Sequence, residues 1–122
     1  MLLTLALLTT LHAAAATDSI PGRWQITGDV AGNPVKSICV ITQTGTALSG
    51  YCSDDSNEPH PLTGEVKDGK ITFQYSVDYQ GQPLSIVYSG TLSSPPQIKG
   101  TIEVKPMGAM GTFTATPAPV KP

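Results

Sequence analysis

Between Arg23 and Ala115 stretches in which apolar side chains alternate with a period of two recur, and none shows the sustained i, i+3, i+4, i+7 spacing of an amphipathic helix. Only a strand returns its side chains to one face every two residues, so the pattern predicts an all-β domain. Trp24, Ile26, Gly28 and Val30 form one face of a first strand, and Gly32-Asn33-Pro34 punctuates the chain before a second, about 35–43. Leu48, Gly50 and Cys52 mark a third. Residues 53–61 (SDDSNEPHP) are polar and broken by proline, and are expected to be a loop. Leu62, Gly64 and Val66 follow on a fourth strand, and Asp68-Gly69 is a hairpin signal. Ile71, Phe73, Tyr75, Val77 and Tyr79 carry the fifth strand. Leu84 to Leu92 form the sixth, Ile98 to Val104 the seventh and Met110 to Thr116 a short eighth.

The opposite faces read Thr72, Gln74, Ser76, Asp78 and Lys99, Thr101, Glu103, Lys105, so one side of these strands is wet. Eight short antiparallel strands with one apolar face can hide their edges by closing into an up-and-down barrel; a two-sheet sandwich is the rival. Glycine discriminates between them. Gly50, Gly64, Gly90 and Gly100 all fall on the apolar face inside strands, where glycine weakens a strand unless it permits bending or close packing. That favours a small, tightly coiled barrel.

The chain contains two cysteines, Cys39 and Cys52. With Gly45-Thr46 as a two-residue hairpin loop, Thr44 pairs with Ala47, Gln43 with Leu48, Ile41 with Gly50, and Cys39 directly with Cys52. Opposed residues share a face with Cβ atoms ~4.5–5.5 Å apart, within reach of a disulfide. Closing that loop should contribute ~3 kcal/mol in the chain-entropy model.

Residues 1–16 (MLLTLALLTTLHAAAA) are apolar and end in small side chains, with Ala14 and Ala16 suited to cleavage before Thr17. The stretch reads as a signal peptide and is shorter than the ~20 residues a membrane-spanning helix needs. The expected organisation is therefore a leader over 1–16, one barrel domain over 17–116 and a Pro-rich disordered tail over 117–122. The mature protein is expected to be exported, periplasmic or secreted, with no membrane insertion after cleavage, and monomeric. A formal net charge of -2, from 7 Lys plus Arg against 9 Asp plus Glu, supplies no electrostatic footprint for nucleic acid.

Catalytic chemistry finds little support. The mature chain has His60 and no G-x-S-x-G motif, so no nucleophile and base are paired in sequence. His60 lies among Asp54, Asp55 and Glu58, but at neither zinc nor EF-hand spacing, and is expected in a solvated loop. Glu65 and Asp78 fall on outward faces of different strands, which leaves no paired carboxylates. A phosphate-cradling glycine loop would need a helix to open. We therefore expect no enzyme activity, no metal and no cofactor. Two binding readings remain. In one, Trp24, Tyr75, Tyr79 and Tyr88 line an open barrel mouth that holds a small apolar or amphipathic molecule. In the other, the barrel is filled and its loops or N-terminal segment bind another protein.

Gly22-Arg23-Trp24 at the start of the first strand resembles the G-x-W opening of the calycins, the superfamily of lipocalins and avidins. Ala47-Leu48-Ser49-Gly50-Tyr51 is similar to the strand-three opening of avidin-like barrels. The resemblance implies a calycin-like eight-stranded barrel with Trp24 at its floor. It does not imply biotin binding, since avidins ring biotin with several tryptophans and this chain has one. The chain is also similar to small exported bacterial β-domains, through Ile98 to Val104 and Gly111 to Ala115. Periplasmic metalloprotease inhibitors share the small barrel with one disulfide, but they use an N-terminal arm that here would span only 17–21.

Overall fold

The computed structural model describes residues 20–53, 58–93 and 96–118. Eight antiparallel strands follow one another: β1 (Gly22–Val30), β2 (Asn33–Thr44), β3 (Ala47–Ser53), β4 (Pro59–Lys67), β5 (Lys70–Tyr79), β6 (Gln82–Ser93), β7 (Gln97–Lys105) and β8 (Ala109–Pro117). Each pairs with the next and β8 pairs with β1, so the sheet closes into an up-and-down barrel. The leader assigned to 1–16 and most of the tail assigned to 117–122 lie outside the described residues. At the boundary, β8 runs one residue past the expected end of the barrel at 116. Pro117 pairs with Trp24, and the Ala118 N–H donates to the Arg23 carbonyl at 2.8 Å.

Period-two patterning puts the core inside the barrel. Ile26, Ile41, Leu62, Val66, Ile71, Phe73, Tyr88, Ile98 and Ile102 are all buried there. The β2–β3 register is the one derived from the sequence, with Ile41 opposite Gly50 and Cys39 opposite Cys52, and the two cysteines form a disulfide. Gly45 has a φ of 63°, the conformation a two-residue hairpin loop needs at its first position. Interior glycines allow close approach. A Cβ at Gly100 would strike the Ser89 carbonyl oxygen and lie 2.5 Å from the Gly90 Cα, so β6 and β7 pack glycine against glycine at that level.

Two expectations need correction. The break expected at Gly32-Asn33-Pro34 is a two-residue turn at Ala31-Gly32, and β2 resumes at Asn33. The loop expected over 53–61 is also shorter, because Ser53 ends β3 and Pro59, His60 and Pro61 belong to β4. The reason lies in the alternation of backbone directions along a strand. The Val66 N–H donates to Thr46 on the β3 side, so His60, Leu62 and Gly64, at the same parity, also turn their N–H groups toward β3. Pro59 and Pro61 fall at the opposite parity. Their missing N–H groups cost the β3–β4 ladder nothing, and the strand continues through them.

Candidate functional site

The odd-numbered strands run from one end of the barrel, the lower, to the other, the upper, and the even-numbered strands return. The lower end is plugged. Ile20 is fully buried, its N–H donates to Gln43 Oε1 at 3.0 Å, and the Trp24 indole N–H donates to the Ile20 carbonyl at 2.8 Å. Two backbone groups and the indole nitrogen are thus satisfied under a hydrophobic cap. Trp24 is floor and plug, at the opposite end from Tyr79.

The upper end has a different character. Val30, Val35, Val77, Ile86 and Ala109, all toward this end, are only partly buried against the core. Tyr79, 58% exposed, and Met107, 60% exposed, extend the apolar surface onto the rim. Below the rim the rings of Tyr75 and Tyr88 lie 5.8 Å apart, and Tyr88 stacks on Phe73 at 4.7 Å with Phe113 edge-on at 5.1 Å. The Tyr75 and Tyr88 hydroxyls share a hydrogen bond of 3.0 Å. Burial pushes the Tyr88 phenol above its ordinary range, and Tyr75 raises it further, while the neighbouring Ser37 hydroxyl acts the other way.

Ser37 was not singled out by the sequence reading. It stands on β2 between Val35 and Cys39, on the inward face opposite Ile26, with 6% of its surface exposed. Among the described residues its Oγ makes no hydrogen bond of ordinary length and angle, although it lies close enough to the Tyr88 phenol to act on its ionisation as a long, weak contact. A buried hydroxyl without a partner is destabilising, and native interiors rarely keep one without cause. The signal was present in the sequence as one small polar residue at an inward position of a β-patterned run.

His60 also turns inward. It pairs with Cys52 across the β3–β4 ladder, is half-buried, and stacks on Tyr75 with ring centroids 5.7 Å apart. The solvated loop expected for it is therefore corrected to an inward strand position. Asp54 and Asp55 lie outside the described residues. Among the described residues no group of three His, Cys, Asp or Glu side chains is gathered to hold a metal, and no helix is long and apolar enough to cross a membrane. Of the four tyrosine and tryptophan positions proposed from sequence, the fold brings Tyr75 and Tyr88 together, sets Tyr79 on the rim above them and separates Trp24.

Depressions in the outer wall include two on the β4–β5 side. One of about 380 Å³, lined by Glu65, Lys67, Asp68, Lys70 and Thr72, surrounds the charged β4–β5 hairpin. The other, of about 290 Å³, is lined by Pro61, Thr63, Gln74, Tyr75 and Ser76.

No protein-family model matches the chain, and no curated protein matches it. Solved structures do. A redesigned beta barrel superposes with a TM-score of 0.64 at 19% identity, covering 85% of this chain and 96% of that one. The redesigned barrel mFAP1, bound to DFHBI, gives 0.59 at 18% identity over 84% and 99% of the two chains. A third, mFAP0, also bound to DFHBI, gives 0.53 at 18% over 79% and 96%. At this identity the likeness concerns the fold: the chain is an eight-stranded antiparallel barrel of the same architecture.

Proposed function

We propose that the protein is an exported, non-enzymatic binding module that takes a small amphipathic molecule at the upper mouth of its barrel. The observation that carries this reading is the Ser37 hydroxyl, buried without a hydrogen-bond partner beside Tyr88 and beneath a ring of partly exposed aliphatic side chains. An apolar rim above a few fixed polar groups is the usual composition of a small-molecule site. The lower end, where every polar group named above is satisfied, offers nothing comparable. The two redesigned barrels bound to DFHBI support the reading by showing that this architecture can hold a small molecule. The Cys39–Cys52 disulfide supports export to an oxidising compartment.

A second reading rests on the rim itself. Tyr79, Met107 and Met110 are each more than half exposed near the upper end, and such apolar side chains suit a protein partner. Native mass spectrometry of the protein, exported with its own leader and purified gently, separates the two. A small molecule released on unfolding supports the mouth reading. A bare chain that also shows no chemical-shift change around Ser37 with a panel of neutral amphiphiles refutes it and favours the protein partner.

A further inference from the structure

The wall of the barrel is not continuous. β4 begins at Pro59 and β5 ends at Tyr79, but their ladder runs only from Lys67 opposite Lys70 to Thr63 opposite Gln74. Continued at the same register, Pro61 would face Ser76 and Pro59 would face Asp78. The parity fixed by the Val66 N–H puts the backbone groups of Thr63 and Glu65 toward β5, and hence those of Pro61 and Pro59 as well. On β5, the Leu92 N–H donates to Gly69 and the β5–β6 ladder continues through Ile71, Phe73 and Tyr75. Thr72, Gln74, Ser76 and Asp78 therefore turn their backbone groups toward β4. Both ladder donors that β4 should supply to the upper half of this seam are proline nitrogens, which have no hydrogen to give. The seam stays open for that reason, and the ladder gives Ser76 and Asp78 no partner on this side.

On the outer wall this seam borders the depression of about 290 Å³ lined by Pro61, Thr63, Gln74, Tyr75 and Ser76. Tyr75 ties it to the interior, since its backbone lies in the wall between Gln74 and Ser76 while its hydroxyl meets that of the buried Tyr88. A window of this kind presents the Ser76 N–H, the Gln74 amide and the Thr63 hydroxyl from the wall. None of the five lining residues carries a charge, and the next one along the β5 edge, Asp78, is acidic. An anionic group would meet no cation there.

We propose that this window is the headgroup subsite of the binding site, accepting an uncharged hydrogen-bonding group such as a carboxamide while the apolar body of the ligand lies at the mouth. The assignment rests on the reading of the mouth as a binding site. A ring is the natural body, since the His60, Tyr75 and Tyr88 rings lie in near-parallel succession beside the window, with interplanar angles of 18° and 24°.

The test compares 2-naphthamide with 2-naphthoate at pH 8, followed by amide chemical shifts of the protein with its disulfide intact. The expected result is an affinity for the amide at least about tenfold higher, with the Ser76 amide resonance moving on titration, since one hydrogen bond gained against one charge desolvated is of that order. Replacing Pro61→Thr restores the missing ladder donor opposite Ser76. It should close the window, protect the Ser76 amide from exchange and remove most of the preference for the amide. If P61T does not fold, the shifts in the unsubstituted protein decide. Naphthoate bound as tightly as the amide, or movement of the Val30 and Val77 resonances without Ser76, overturns the headgroup assignment and leaves the mouth reading standing. If neither compound moves any rim resonance, the mouth reading is refuted, and the window falls with it.

Discussion

Replacing Ser37→Ala should make the protein more stable and a poorer binder at once. The hydroxyl is buried, with 6% of the residue exposed, and lacks a hydrogen-bond partner among the described residues. Its removal relieves an uncompensated burial that costs roughly 1–3 kcal/mol in proteins. Against this stand the loss of its weak interaction with the Tyr88 phenol and a small change in strand propensity, each a few tenths of a kcal/mol on general scales. The net gain should be about 1–2 kcal/mol. For a domain of this size each kcal/mol moves Tm by about 4–8 °C, so a rise of roughly 5–15 °C is expected. Thermal unfolding followed by near-ultraviolet circular dichroism measures it. Ser49→Ala is the control, because that hydroxyl is exposed and already bonded to Thr42 at 2.8 Å, and its loss should stay within about 0.5 kcal/mol. A fall in Tm for S37A would mean that the hydroxyl has a partner and that the reasoning from burial is wrong. A rise in Tm with ligand affinity unchanged would remove Ser37 from the site.

Three further outcomes follow from the same structure. Replacing Cys39 and Cys52 together by Ala opens a link of sequence separation 13 and should cost ~3 kcal/mol through the unfolded state, so an unchanged urea midpoint would contradict the stabilising role of the bond. Gly100→Ala should cost about 1–3 kcal/mol or more, because the atoms its Cβ meets are the Ser89 and Gly90 backbone and not the end of a flexible side chain; a urea midpoint within error of the parent would refute the close β6–β7 packing. The Tyr88 phenol is held above its unfolded value of ~10, chiefly by burial, so the stability it contributes is complete below about pH 10 and is lost as pH rises beyond it. Urea midpoints measured from pH 8 to 11 should fall less steeply for Tyr88→Phe than for the parent; equal slopes would show that Tyr88 is not the titrating group.

Period-two patterning and one hairpin carried most of the fold. Fixing Gly45-Thr46 as the loop fixes every pair down to Cys39 and Cys52, because the side-chain period of a strand leaves no intermediate register. Inward glycines argued for the barrel on the same local grounds, and the β6–β7 contact at Gly90 and Gly100 shows why. Pro59, His60 and Pro61 were not legible. A proline-x-proline run reads as a strand breaker unless one knows which neighbouring strand each nitrogen faces, and that parity is a property of the assembled sheet. Trp24 and Tyr79 share an aromatic character but not an end of the barrel, which counting strands up and down is enough to establish. Ser37 was passed over because a lone serine in a strand is unremarkable until its surroundings are known to be dry.

Locally unfavourable choices are unevenly distributed along this barrel, and their distribution bears on where function resides. The lower half carries fewer of them: Leu92 is only partly buried there, but Trp24 and Gln43 satisfy the backbone of Ile20, the ladder between β4 and β5 is complete, and the Val66 N–H extends the β3 pairing to Thr46. In the upper half three departures coincide. Ser37 is buried without a partner, two prolines interrupt the closing of the wall, and five aliphatic side chains stop short of full burial. Each can be eased by a single substitution: Ser37→Ala, Pro61→Thr, or a larger apolar residue at Ala109. A sequence under selection for stability alone has easy routes to reduce all three, whereas a site that must receive a ligand has to keep an unfilled hydrogen bond, an opening and an apolar surface in one place. The coincidence of these features around Tyr75 and Tyr88 therefore favours the upper half as the working end, and the pairing of stabilisation with lost binding in S37A is the signature by which that argument stands or falls.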